Sequence, residues 1–245
     1  MNEVIRTIMS RKSVRSYEDR KIDEQTRKVI LEAACSAPTA GNQQMYTIID
    51  VRDQKLKEEL VGSCDHQPFI AEGKMVLVFC ADTLKWHEGF VDCDCDPRDQ
   101  GVGDLMLAVT DACIAAQTAV IAAESLGIGS CYIGDIMENC EEQRRILQLP
   151  EYVFPCAMLV MGYTTEAEKR REKPKRAPLE CIVSVDRYPE MDKDYRRKLF
   201  DKGSTVRTYE EWMKAFCERK YNSDFSREMS RSVAEYLKQY SSFRL

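Results

Sequence analysis

The side chains with most scope for chemistry in this sequence are two histidines, eleven cysteines and a short basic run, Arg11-Lys12-Ser13-Val14-Arg15. His66 and His87 alone cannot supply a multi-imidazole metal site, and they leave a Cys/His protease poorly provided. Asp92-Cys93-Asp94-Cys95-Asp96 offers soft and hard donors, but its CxC spacing has no partner CxxC. It reads as a solvated acidic loop, and no metal is expected. The segment Gly127-Ile128-Gly129-Ser130-Cys131-Tyr132-Ile133-Gly134 misses the GxGxxG spacing of a dinucleotide fingerprint, and no phosphate-binding GxxxxGK segment occurs. What remains is charge. From Thr164 onward the chain holds 20 Lys and Arg against 15 Asp and Glu, net +5, whereas the preceding portion is net −10. A basic region of this kind receives a phosphorylated ligand or a partner subunit, or it is the solvated face of charged helices.

Periodicity predicts the elements that must position these groups. Val4, Ile5, Ile8 and Met9 share one helical face, so a helix delivers the basic run. Ile22-Asp23 ahead of Val29, Ile30, Ala33 and Ala34 reads as a staple and N-cap opening a second helix, which stops before Ser36-Ala37-Pro38. Ala37-Pro38-Thr39-Ala40-Gly41-Asn42-Gln43-Gln44 is small, polar and aperiodic, a loop. Residues 46–51, 75–80 and 154–163 are apolar runs of strand length, 181–185 is a weaker one, and a short helix covers 54–62. Between Gly103 and Gly127 an Ala-rich stretch, apolar on most sides, predicts a core helix with Gly127 at its C′ position and a place for a subunit contact. After Arg187 three charged helices are expected, over 191–202, 209–220 and 226–240.

Composition narrows the class. A chain of 245 residues with 44% hydrophobic and 31% charged residues has one main core. Its net charge of −5 argues against a general nucleic-acid binder. Eleven scattered cysteines in contexts such as Val78-Phe79-Cys80-Ala81 suit a reducing compartment. With no apolar signal region at the N-terminus and no long uncharged apolar run, a cytoplasmic protein without a membrane partner is expected.

Three separated segments together resemble the FMN-dependent nitroreductase and flavin reductase family. They are Arg11-Lys12-Ser13-Val14-Arg15-Ser16-Tyr17 with the later Ser36 to Gln44 loop, then His66-Gln67-Pro68-Phe69-Ile70 leading into Val78 to Asp82, then Gly127 to Gly134 with Lys173-Pro174-Lys175-Arg176. The basic helical tail is similar to the longer, NADPH-preferring branch. The resemblance implies an α+β nitroreductase-like fold, a mixed and mainly antiparallel central sheet wrapped by helices. It implies an FMN-binding domain over 1–187 and a helical C-terminal extension over 188–245, packed on the same domain or on the partner subunit of a homodimer. The implied activity is two-electron, ping-pong reduction of nitroaromatics, quinones or free flavins by NAD(P)H; a non-catalytic FMN or nucleotide sensor is the alternative. Guanidinium forks and a hydroxyl suit the FMN phosphate dianion, a role falling to Arg11, Ser13 and Arg176 with Lys173 or Lys175, and Lys12 is counted with them in the cofactor-binding set. Arg15 would stabilise the reduced flavin. Asn42 and Gln67 would meet polar edges of the ring, Ala37, Pro38 and Thr39 would line it, and Tyr132, Ile133 and Gly134 would cover the face opposite the substrate. No catalytic side chain is required, and Lys202 and Arg207 would meet the NADPH 2′-phosphate. Competing readings are surface charges for Arg11 and Arg15, a loop cap for Gln67 and plain core packing for Tyr132.

Overall fold

The computed structural model describes residues 1–201 and 206–240. Two compact units emerge, Met1–Arg171 with Glu228–Leu245, and Glu172–Arg227, so the boundary expected at Arg187 lies inside the second unit. The first unit runs α1 (Glu3–Ser10), α2 (Glu24–Cys35), β1 (Tyr46–Asp50), α3 (Gln54–Ser63), α4 (Phe69–Glu72), β2 (Met75–Asp82) and α5 (Leu84–Val91). It continues with α6 (Val102–Ser125), β3 (Ile128–Ile133), α7 (Cys140–Leu147), β4 (Val153–Tyr163) and α8 (Glu166–Arg170). The second holds α9 (Lys193–Phe200) and α10 (Tyr209–Lys220), and α11 (Asp224–Leu237) carries the chain from the second unit into the first.

Among the described residues four strands form one sheet in the order β1-β2-β4-β3, every neighbouring pair antiparallel. Beside these strands an isolated parallel bridge ties Ser13 of the N-terminal segment to Ser130 of β3. Beneath one face lie Ile30 and Ala34 of α2, Ala108, Ala112, Ala115 and Ala119 of α6, and Tyr236 of α11. Against the other face pack Leu60 of α3, Ile70 of α4 and Ile146 of α7. β2 and β4 are therefore covered on both sides, which is why they read as unbroken apolar runs. The alanines of α6 let that helix approach the sheet closely. By length and composition α6 could also cross a membrane, but its small residues pack on the sheet.

Local signals act as expected at several ends. Asp23 caps α2 by accepting from the Thr26 N–H at 2.8 Å, and Gly127 turns the chain after α6 at φ +75°. The strand expected over 181–185 does not form. A short 3-10 turn, Leu179–Cys181, is followed by irregular chain in which Ile182, Val183 and Val185 are 67%, 57% and 83% exposed. β-branched residues there find no neighbouring strand, and propensity alone does not make one. In the second unit Arg197 of α9 meets Glu210 of α10 at 2.9 Å, and Thr208 and Glu211 form a capping box.

Candidate functional site

The basic run is seated by two glycines. A Cβ on Gly129 of β3 would lie 2.7 Å from Val14 Cγ2 and 2.5 Å from Thr164 Oγ1, and one on Gly162 of β4 would lie 2.7 Å from the Tyr17 ring. Without side chains there, the N-terminal segment lies directly on the sheet backbone. The Val14 N–H donates to the Ser130 carbonyl at 2.9 Å, and the Tyr17 hydroxyl sits 2.9 Å from the carbonyls of both Val14 and Val160. Burial pushes the Tyr17 phenol up, so it remains a neutral donor.

Arg11 is half-buried, and its Nη1 is shielded from solvent with no hydrogen-bond partner among the described residues. Its charge reaches the Tyr132 phenol, which burial pushes up and Arg11 draws back. Ser13, Arg15 and Arg11 surround the Cys131 thiol, which burial likewise raises against their pull. The Arg15 guanidinium stands 5.9 Å from the centre of the Phe69 ring, and its backbone N–H points at Glu168 Oε1, 3.4 Å away. Lys12 turns elsewhere: its ammonium donates to the Lys169 carbonyl at 3.0 Å and to that of Arg171. Those carbonyls close α8, so Lys12 is engaged as a helix C-terminal partner, away from the anion role that the resemblance implied.

Gln67 is half-buried and donates its amide to the Cys64 carbonyl at 3.2 Å and to the Asp135 carboxylate. It is a loop cap, and it ties the segment before α4 to the turn after β3. Tyr132 is half-buried with its hydroxyl 3.3 Å from Gln117 of α6, Ile133 is buried, and Gly134 is exposed. A Cβ on Gly134 would meet nothing nearer than Met137 Cε at 3.9 Å. Arg11, Ser13, Arg15, Gln67 and Tyr132–Gly134 thus converge at the end of β3.

The Ala37–Asn42 loop stands on other anchors. Asp111, 2% exposed inside α6, accepts from the N–H of Ala40 at 2.9 Å and of Met45 at 3.3 Å. Thr39 accepts from the Gln44 N–H at 3.2 Å, and Trp86 donates to the Gln43 carbonyl at 2.7 Å. Ala37 is buried, Pro38 and Asn42 are exposed, and Gly41 and Asn42 both take φ +57°. Beside the loop a cavity of about 310 Å³ is lined by Met45, Trp86, Phe90 and Arg98. Lys173, Lys175 and Arg176 lie exposed in the second unit. Arg207, also exposed there, joins the Thr208 N–H and hydroxyl in holding the Glu211 carboxyl below its usual range. Lys202 lies outside the described residues.

Sequence reasoning passed over three acids that hold this arrangement, Asp111, Asp135 and Glu168. Asp111 left a signal, since a carboxylate in the middle of an Ala-rich helix must find donors or cost several kcal/mol, on the order of a lost buried hydrogen-bond set. A fourth acid, Glu138, is 5% exposed, and its Oε1 has no partner among the described residues. Burial, followed by Asp135, Asp65 and Glu228, raises its carboxyl to about 7.

Known proteins share both the pattern and the fold. The nitroreductase family profile matches residues 8–163, the span that carries the basic run, the sheet and α6. The FMN reductase (NAD(P)H) of Bacillus subtilis is 33% identical over 238 residues, covering 96% of this chain and 91% of the relative. The solved NfrA1 nitroreductase of B. subtilis superposes with a TM-score of 0.81 at 26% identity, over 97% of this chain and 98% of that one. NfrA2 of B. megaterium does so at 0.76 and 30% identity, over 100% and 95%. Matched by the family profile through its sheet and by a relative along nearly its whole length, the chain belongs to the nitroreductase family.

Proposed function

We propose that this chain is an NAD(P)H-dependent FMN oxidoreductase, reducing nitroaromatics, quinones or free flavins by two electrons, with donor and oxidant taking one open face in turn. The observation that carries this reading is the unpartnered, desolvated Nη1 of Arg11. A buried guanidinium N–H without an acceptor is costly, and an anionic ligand removes the cost. Ser13 lies beside it on the same segment, and the relatives' names supply the ligand class. FMN fits this set: Arg11 and Ser13 would hold its phosphate, while the assignment of Lys173, Lys175 and Arg176 to the phosphate, and of Arg207 and Lys202 to NADPH, rests on the resemblance alone.

When bound, FMN supplies the centre that accepts and donates hydride. The chain's own part is to bind, orient and shield. Arg15, which stands near Phe69, would supply a fixed cation for the negative charge of the reduced flavin. Tyr132 and Ile133 would close one face, and the absence of a side chain at Gly134 would leave room for a close approach. Gln67 offers its carbonyl oxygen only, since its amide is committed to Cys64 and Asp135. Lys12 is left out of the phosphate set.

A homodimer belongs to the same proposal. The apolar face of α1 is bare, with Val4 and Met9 60% and 61% exposed, and α6 adds Met106 and Leu107 at 59% and 49%. A second copy covering this surface would bring a loop anchored on α6, Ala37–Asn42, to the partner's flavin. Steady-state NADPH consumption with menadione and with a nitrofuran tests the activity. Turnover with either supports it, and FMN-loaded protein that consumes no NADPH with both refutes it.

A further inference from the structure

Two residues in the left-handed region deliver Gln67. Asp65 and His66 take φ +54° and +51°, uncommon for residues other than glycine, and the chain folds back so that the Gln67 side chain lies between the end of α3 and the turn after β3. There its amide nitrogen donates to the Cys64 carbonyl at 3.2 Å and to the Asp135 carboxylate. A backbone carbonyl only accepts, and so does an ionised carboxylate, so the chemistry of these partners decides which end of the amide faces inward. Both N–H hydrogens are used. The Gln67 Oε1 accepts nothing among the described residues and is open to solvent.

Asp135 is itself held from two sides. Its 3-10 turn, Asp135–Met137, closes with the Met137 N–H on the Gly134 carbonyl and the Glu138 N–H on the Asp135 carbonyl, both at 3.0 Å. The adjoining Asn139 donates its side-chain amide to the Ser63 carbonyl of α3 at 2.9 Å and its backbone N–H to Glu228 of α11 at 3.1 Å. Ser232 of α11 donates to the Met137 carbonyl at 2.7 Å. A partner on so fixed a turn sets the plane of the Gln67 amide, which the bond to Cys64 alone would leave free to turn.

We propose that Asp135 is a positioning residue of the flavin site: by engaging the second N–H of Gln67 it makes that side chain acceptor-only, so that Gln67 selects an N–H on the edge of the ring and offers no donor to the ring carbonyls. The inference rests on the flavin reading above. In an oxidised isoalloxazine the edge N–H is the imide between the two pyrimidine carbonyls, and that group is the feature Gln67 would read. Asp135 acts through Gln67 and need touch no cofactor.

The test measures FMN affinity by flavin fluorescence on the full chain in a double-mutant cycle. Asp135→Ala is expected to weaken binding roughly 3- to 10-fold, the scale of one neutral hydrogen bond, whereas Asp135→Asn keeps an oxygen for the Gln67 amide and stays within about twofold of the parent. In a Gln67→Ala background Asp135→Ala should change the affinity by less than about twofold, because no amide is left to orient. An equal loss with and without Gln67, or an Asp135→Asn variant as weak as Asp135→Ala, means that Asp135 acts by charge or by folding alone and overturns the proposal. A second measurement needs no substitution, so it decides even where the variants fail to fold. FMN methylated at the imide nitrogen should bind the unsubstituted protein at least about tenfold more weakly than FMN, and equal affinities overturn the acceptor role. Unsubstituted protein that binds no FMN refutes the flavin reading and this proposal with it, an outcome set apart from the others because the parent itself fails.

Discussion

Arg11 is the residue on which the binding account turns, because its Nη1 is buried and unpaired while its neighbour Lys12 is fully engaged. Charge-assisted hydrogen bonds contribute about 1.5–3 kcal/mol, so Arg11→Ala is expected to weaken FMN binding roughly 10- to 100-fold. Lys12→Ala, by contrast, should leave it within about twofold, a surface-type effect. Flavin fluorescence titration reads both, and equal losses would contradict the assignment. This contrast was hidden in the sequence: the R-x-S-x-R spacing exposes Arg11, Ser13 and Arg15, but the fate of Lys12 is set by carbonyls at Lys169 and Arg171. Glu138 makes a separate prediction. Its carboxyl holds a proton to about 7 in the fold and releases it near 4.5 when unfolded, because burial, Asp135, Asp65 and Glu228 all oppose its charge. Between those values the native state binds the extra proton, so stability should fall as pH rises from 4.5 to 7 and level off above, by on the order of 1–3 kcal/mol. Thermal melts of Glu138→Gln should lose that part of the slope and show a gain at pH 8; slopes identical to the parent's would sink the argument.

At the scale of elements, the glycines of β3 and β4 let the N-terminal segment reach the sheet. Gly129→Ala forces a methyl within 2.7 Å of Val14, so the segment must shift, with a cost of about 1–3 kcal/mol as for other overpacked sites. The expected outcome is a folded protein by circular dichroism with weakened FMN affinity; unchanged affinity would mean that the seating of Arg11 does not depend on this contact. Strands and helices with strong period were readable: α2, β2, β4 and α6 fall close to their predicted spans. β3 was not, because Gly129 and Ser130 interrupt its apolar run, and their reason for being small or polar lies in Val14 and Thr164, far away in sequence. The expected strand over 181–185 failed for the converse reason, since its apolar residues lack a neighbour to pair with. Gln67 and Asp111 show the same limit at the site. Their types were conspicuous, but their partners, Asp135 and the Ala40 and Met45 N–H groups, are set by tertiary placement.

For the molecule as a whole, the proposed dimer rests on the bare apolar faces of α1 and α6, which a soluble monomer would leave in water. Ile8→Glu with Met106→Glu should convert a dimer to monomer in sedimentation equilibrium and weaken FMN retention, because loop Ala37–Asn42 would no longer reach a partner. A parent protein that sediments as a monomer with FMN bound would refute that part. The central claim, that the convergence at the end of β3 is a flavin site serving NAD(P)H oxidation, has a more direct test in the visible absorption spectrum. The protein is purified, its spectrum is recorded before and after anaerobic NADPH, and any released cofactor is identified by chromatography. The account predicts flavin bands that bleach on NADPH and a released cofactor identified as FMN. A protein that is colourless and stays so after incubation with FMN would contradict it.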